Sequence, residues 1–267
     1  MKLKYIDAHA HLNFDSYDTD RAEILRNLKN DQAGAVNVGI DIATSTESIE
    51  LAKENEHIWA TVGCHPTEVD EKFSADLYDG LIIKDAAEVV AVGECGLDYF
   101  RSANRDDANQ KLQLRAFEDQ IELALTHDLP LILHLRPREG SMDAYKTGLD
   151  VLEHYSKQYG DKLRGTAHFF VGDESIARRF MDIGFYVSAT GVVTFDTDLQ
   201  NIFADIPTDH LLVETDAPFA APEPHRGQRN SPLYVPDIVK KLAVIKKVPE
   251  HELSERLVSN TQRLFSL

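Results

Sequence analysis

Short apolar runs recur along this chain at fairly even spacing, and each is followed by a stretch whose apolar residues return every three or four positions. The runs Tyr5–Leu12, Gly34–Ile40, His57–Cys64, Glu88–Gly96, Leu129–Leu135, Leu163–Phe169, Phe185–Val193 and Leu211–Thr215 read as strands. Between them the helical period appears at about 18–32, where Ile24 and Leu28 share a face, at 44–56, and in an acidic segment of one or two pieces ending near Ala87. It returns in a helix carrying Leu112, Leu114, Phe117, Ile121 and Leu125 that stops near His127, and at 142–159, 174–183 and 198–205. Helices at about 235–247 and 250–264 close the chain. Runs such as Val89-Val90-Ala91-Val92 are apolar on both faces, the pattern of a parallel sheet covered by helices. Eight such repeats favour an α/β fold closed into a TIM (β/α)8 barrel over an open doubly wound sheet. No linker or shift in composition interrupts them, so one domain spanning 1–267 is expected, and the missing G-x-G-x-x-G fingerprint argues against dinucleotide binding.

Composition narrows the class. The 267 residues are 43% hydrophobic and 27% charged, which is ordinary for a globular protein, and no apolar run approaches a bilayer span. The first residues lack the apolar core of a secretion signal, and Cys64 and Cys95 sit inside apolar runs as buried small side chains, so a cytoplasmic protein without disulfides is expected. The net charge of -17 opposes long-range attraction to a phosphate backbone. A nucleic-acid substrate would therefore be held locally, by bound cations and a few arginines.

Candidate chemistry lies where strands end. Asp7-Ala8-His9-Ala10-His11 puts two imidazoles on one strand face, and later strands end near His65, Glu94, His134, His168 and Asp216. Other histidines fall before strands (His57, His127, His210), in helices (His154, His251) or in the last rim loop (His225). Six candidate ligands exceed the three or four that one zinc needs, and a carboxylate at Glu94 can bridge. Two divalent ions are expected, with zinc, manganese and magnesium as candidates; the imidazoles favour a transition metal, because magnesium prefers an all-oxygen shell.

The ordered motifs D-A-H-A-H-L, G-C-H-P, G-E-C-G-L-D-Y, L-I-L-H-L-R, H-F-F-V-G and E-T-D-A-P-F, followed by R-G-Q-R-N-S-P-L-Y-V and N-T-Q-R-L-F, resemble the TatD family of metal-dependent deoxyribonucleases. The likeness runs from Asp7 to Phe265 and implies an amidohydrolase-like barrel with two divalent ions. Carried over by position, one ion takes His9, His11 and Asp216, the other His134 and His168, with Glu94 between them and His65 facing the phosphate. Cys95, where an aliphatic residue is common in such proteins, and Phe169-Phe170, where Ser or Thr often follows the histidine, are departures that bear on substrate preference. The implied substrate is single-stranded DNA or another nucleic-acid end, with no membrane partner. Deacylation of D-aminoacyl-tRNA or other amide or ester hydrolysis is the alternative, and a non-catalytic metal-binding scaffold the third reading.

Residue types suggest roles around that centre. Asp216 suits a proton acceptor for an attacking water, beside Glu94 and His65 in the catalytic group. Arg136, Arg226 and Arg229 are candidate phosphate clamps against a reading as solvated loop charge. Tyr99, Phe100, Phe169 and Phe219 follow rim residues, where exposed rings stack on unpaired bases and buried ones pack loops. Asp7 and Glu214 precede His9 and Asp216 by two residues; each either orients a ligand imidazole or forms an unrelated salt bridge.

Overall fold

A computed structural model describes residues 2–101 and 107–267. All eight apolar runs enter one parallel sheet in chain order, β1 (Tyr5–Ala10), β2 (Ala33–Val38), β3 (Ile58–Val62), β4 (Val89–Asp98), β5 (Leu131–Arg136), β6 (Gly165–Ala167), β7 (Tyr186–Ala189) and β8 (Leu211–Val213). The helices between and after them are α1 (Arg21–Asp31), α2 (Ile42–Glu54), α3 (Ala75–Lys84), α4 (Asp107–Thr126), α5 (Asp143–Tyr159), α6 (Glu174–Asp182), α7 (Thr197–Asp205), α8 (Val235–Lys246) and α9 (Glu250–Phe265). This is the TIM barrel that the alternation anticipates.

Several strands stop short of their apolar runs, because the backbone leaves the ladder to bond side chains. Pairing of β1 ends at Ala10, and Leu12 N then donates to Asn37 Oδ1 at 2.6 Å. The acidic segment before β4 holds one described helix, α3, and α2 begins two residues early because Asp41 accepts from Thr44 N while the Thr44 hydroxyl caps back. β4 instead runs on past Gly96 to Asp98. Gly96 can sit there because it lacks a side chain: at φ +136° an added Cβ would lie 2.2 Å from His134 O on β5. Register shifts in β1 between Asp7 and Ala10, and in β4 between Val92 and Cys95, fall on His9 and Glu94, and such bulges re-aim the side chains they carry.

Helices pack outside the sheet through residues such as Phe117, Tyr145, Leu149 and Phe180. Inside, Ala8, Val36, Ile132, Tyr186 and Leu212 form a second cluster with Leu264 and Phe265 from the end of α9. Each fully buried aromatic or leucine of this kind contributes roughly 1.5–3 kcal/mol. The barrel closes between its first and last strands. Asp216 N donates to His9 O at 2.9 Å and His11 N to Ala217 O at 2.8 Å, around a bridge from Ala10 to Ala217. Asp7 fastens the same seam: Oδ1 accepts from His9 N (3.1 Å) and Thr215 N (2.9 Å), and Oδ2 from Thr215 Oγ1 (2.5 Å). No helix among the described residues is long and apolar enough to cross a membrane.

Candidate metal centre

All six expected ligands converge at one rim of the barrel. His9 lies within β1 and His11 just past it, Glu94 and His134 lie inside β4 and β5, His168 follows β6, and Asp216 follows β8 on a loop. Glu94 is therefore not the end of its strand as the sequence suggests; the bulge turns it inward four residues before Asp98.

On one side, His9 Nε2 and His11 Nε2 are 3.1 Å apart, and each is 3.6 Å from Asp216 Oδ1. Glu94 Oε2 lies 3.6 Å from His9 Nε2 and 3.8 Å from His11 Nε2. A tetrahedron with metal–ligand bonds of about 2.0–2.2 Å has edges of roughly 3.3–3.6 Å; the separations of 3.1–3.8 Å bracket that range, and His9, His11 and Glu94 form one group that could hold an ion. The tautomer of His11 agrees: its Nδ1 is 3.0 Å from Val38 O, a carbonyl that only accepts, which leaves the Nε2 lone pair for a metal. On the other side, Glu94 Oε1 is 2.8 Å from His134 Nδ1, 3.2 Å from His168 Nε2 and 3.6 Å from His65 Nε2. Glu94 thus offers one oxygen to each group.

The electrostatics are those of a site built for cations. Burial opposes charge on Glu94, yet the His168 and His65 rings outweigh it and hold the carboxyl well below its usual range. Burial likewise opposes charge on His168, but Glu214 and Glu94 raise its pKa well above normal. His134 is raised against the same penalty by Asp98 and Glu94. His9, stacked at 3.7 Å on His168, is pushed well below normal by burial and by that neighbour. Burial and His134 lower His65 to about 3, so it is neutral at pH 7. Thr67 N donates to His65 Nδ1 at 3.1 Å, which leaves the proton on Nε2, facing Glu94.

The two undecided carboxylates divide. Glu214 orients an imidazole: its Oε1 accepts from His168 Nδ1 at 2.9 Å and from Phe169 N at 2.6 Å. Asp7 holds backbone at the seam and touches no ligand ring. Phe169 and Asp216 have φ of +47° and +54°, a region that costs a residue with a Cβ about 1–3 kcal/mol. Glu214 fixes the first; Asn230, donating to Thr215 O (2.8 Å) and Phe219 O (2.6 Å), fixes the loop of the second.

The centre opens into a cavity of about 550 Å³ whose lining includes Phe14, Phe219, Arg101 and Arg136. Phe14 stacks on the His11 ring at 4.5 Å, and Phe100 lies under the Arg136 guanidinium at 4.1 Å. Two expectations need correction. Arg229 does not line the cavity, because it is bound to Asp20 and Ser16 O above the Tyr17 ring. Arg226 stacks on Phe195 at 3.7 Å, also away from the wall. Tyr99 is buried in the core, so only Phe100, Phe169 and Phe219 of the four aromatics are open to a ligand.

Sequence reasoning passed over Arg101 and Phe14 on the wall, Asp98 beside His134, and two glutamines of α4. Gln120 pairs with the backbone N and O of Cys64 at 2.7 and 3.1 Å, which sets the loop bearing His65, and Gln113 Oε1 accepts from Asp98 N at 2.9 Å. Their signal was present: two polar residues seven apart on the apolar face of a helix.

The family model for TatD-related DNases matches residues 6–266. The uncharacterized metal-dependent hydrolase YabD of Bacillus subtilis is 35% identical over 264 residues, covering 98% of each chain. The uncharacterized metal-dependent hydrolase YcfH of Escherichia coli is 30% identical over 268 residues, covering 98% of this chain and 96% of its own. The crystal structure of YjjV, a TatD homologue from the same species, superposes over the whole of both chains with a TM-score of 0.87 at 26% identity.

Proposed function

Since this chain belongs to the TatD-related DNase family and is a metal-dependent hydrolase, we propose that it is a two-metal phosphodiesterase that removes nucleotides from the ends of single-stranded DNA. The observation that carries this reading is the cavity, where the ligand cluster faces two arginines and exposed aromatic rings. A phosphate with its base fits that pairing of charge and ring, since arginine clamps phosphate oxygens and aromatic faces stack on unpaired bases. A chain with net charge -17 has little to grip a long duplex, so an end is favoured over an internal site.

His9, His11 and Asp216 would hold one ion, His134 and His168 the other, and Glu94 both. Bound there, the ions supply Lewis acidity that activates water and offsets charge on the phosphate. Asp216 accepts the proton of the attacking water, its carboxylate being held at the cavity floor by the strained loop. Neutral His65 donates from Nε2 to a phosphate oxygen. Arg136 and Arg101 hold non-bridging oxygens, and Phe14 and Phe219 exclude water around the terminal base. Two buried, unpaired cysteines suit a reducing cytoplasm as the place of action.

Three substrates test this: single-stranded oligonucleotides blocked at either end, closed circular duplex DNA, and D-aminoacyl-tRNA. Stepwise shortening from one free end, abolished by a chelator, is expected. Faster nicking of closed circles, or a higher kcat/KM for tRNA deacylation, would overturn the assignment.

A further inference from the structure

Asp98 has no part in the scheme above, yet it is fully buried beside the centre. It sits four residues after Glu94 on β4, is paired with Arg136 of β5, and its backbone is clasped by Gln113. Its two oxygens do different things. Oδ1 accepts from the backbone N–H groups of Phe100 (3.0 Å) and Arg101 (3.1 Å), and Oδ2 lies 3.1 Å from His134 Nε2. The opposite ring nitrogen, Nδ1, faces Glu94 Oε1 at 2.8 Å.

We propose that Asp98 is a positioning residue that fixes the tautomer of His134 and thereby sets how tightly the His134–His168 side of the centre holds its ion. Both ring nitrogens of His134 face carboxylates, which only accept; once an ion takes the Glu94 side, the one remaining ring proton stays on Nε2 against Asp98. The Nδ1 lone pair then points to the side where Glu94 waits. A carboxylate behind a ligand imidazole also makes the ring a stronger donor to a metal. His168 has the same support from Glu214, whereas His11 is backed by a neutral carbonyl and His9 Nδ1 has no hydrogen-bond partner among the described residues. The His134–His168 half is thus the anionically braced half. Because Oδ1 holds the turn that presents Arg101 to the cavity, the brace also ties the ion to one phosphate-facing arginine.

The two oxygens make a sharp distinction available. In Asp98→Asn the amide must keep its oxygen on the two backbone N–H groups, since turning it would set NH2 against two donors. Its NH2 then faces His134 Nε2, which must become the acceptor, and the proton moves to Nδ1, where it blocks the metal. Asp98→Ala removes the brace but forces no such inversion. A role confined to holding the turn predicts the reverse order, because Asn keeps the backbone bonds and Ala loses them.

The inference rests on the reading that His134 takes one of two ions, and the test uses no substrate. Zinc is titrated calorimetrically into the metal-stripped wild type, Asp98→Asn and Asp98→Ala, and long-range proton–nitrogen NMR of the zinc-loaded wild type reports the His134 tautomer, assigned with His134→Gln. Expected are two zincs in the wild type, one site weakened roughly 10- to 100-fold in Asp98→Asn and by less in Asp98→Ala, and the proton on Nε2 in the wild type. Two undiminished sites in Asp98→Asn, a larger loss in Asp98→Ala, or a wild-type proton on Nδ1 would overturn it. A wild type that binds a single zinc would overturn the two-ion reading with it.

Discussion

Replacing Arg229 and Arg136 separately by alanine should give opposite phenotypes, although both residues looked like phosphate clamps. Arg229 makes two bonds to the Asp20 carboxylate, donates to Ser16 O and lies 4.4 Å from the Tyr17 ring centre. An exposed ion pair contributes about 0.2–1 kcal/mol, a carbonyl bond about 0.5–1.5 and a cation over a ring about 0.5–1. These overlap on one half-exposed group, so the loss in Arg229→Ala should be about 1–3 kcal/mol. For a chain of 267 residues, unfolding entropy of about 2.1 cal/mol/K per residue turns this into a fall in Tm of about 2–5 °C. Activity should stay within about 2-fold of wild type. Arg136 lines the cavity, with the Phe100 ring 4.1 Å from its guanidinium. A charged hydrogen bond to phosphate contributes about 1.5–3 kcal/mol, so Arg136→Ala should lower kcat/KM roughly 10- to 150-fold with little change in Tm. Melting of the metal-loaded proteins and initial rates on an end-labelled single strand make the comparison. Loss of activity in Arg229→Ala at unchanged Tm, equal to that of Arg136→Ala, would refute the placement of both arginines.

Other expectations concern the centre itself. His9→Ala or His11→Ala should lower bound metal and abolish hydrolysis while far-ultraviolet circular dichroism stays native; exposed His154 in α5 should tolerate alanine in both assays, and equal losses there would contradict the rim assignment. Asp216→Asn keeps an oxygen ligand but is a poor base, so it should retain most of its metal while turnover falls by about two to four powers of ten; near-normal turnover at excess metal would make Asp216 a ligand only. Neighbouring carboxylates raise the pKa values of His134 and His168 against burial, so a metal competes with protons for both rings. Affinity should therefore rise with pH up to their folded pKa values, and calorimetry in buffers of different ionisation enthalpy should show proton release; a buffer-independent heat would contradict it.

The barrel and the clustering of the candidate ligands were legible because both follow local rules. A helix period after each doubly apolar run is visible in any short window, and His9, His11, His134, His168 and Asp216 all lie at or within two or three residues of a strand end. What was not legible depends on partners far apart in the chain. Arg229 looked like a phosphate clamp because Asp20, which holds it, is 209 residues away. Asp98 was missed because Gly96 reads as a strand end, whereas the missing Cβ lets β4 press on the His134 carbonyl and continue. Glu214 and Asp7 occupy equivalent places in the pattern, and only the fold shows that one faces a ring and the other a backbone seam.

That seam makes the first and last strands of the barrel mutually dependent in time. A chain emerging from synthesis can complete β1 to β7 and still lack one of the six candidate ligands, because Asp216 reaches His9 and His11 only when Thr215 docks on Asp7. An ion held by His9, His11 and Asp216 then works as a clasp on a loop of about two hundred residues, and such a clasp raises the free energy of the open chain far more than it alters the closed one. Withdrawing metal should accordingly loosen the two ends first, so that hydrogen exchange at β1, β8 and α9 rises before exchange at β3 to β5. If Asp216 is the proton acceptor proposed above, the chain gains its activity only once its last strand is in place.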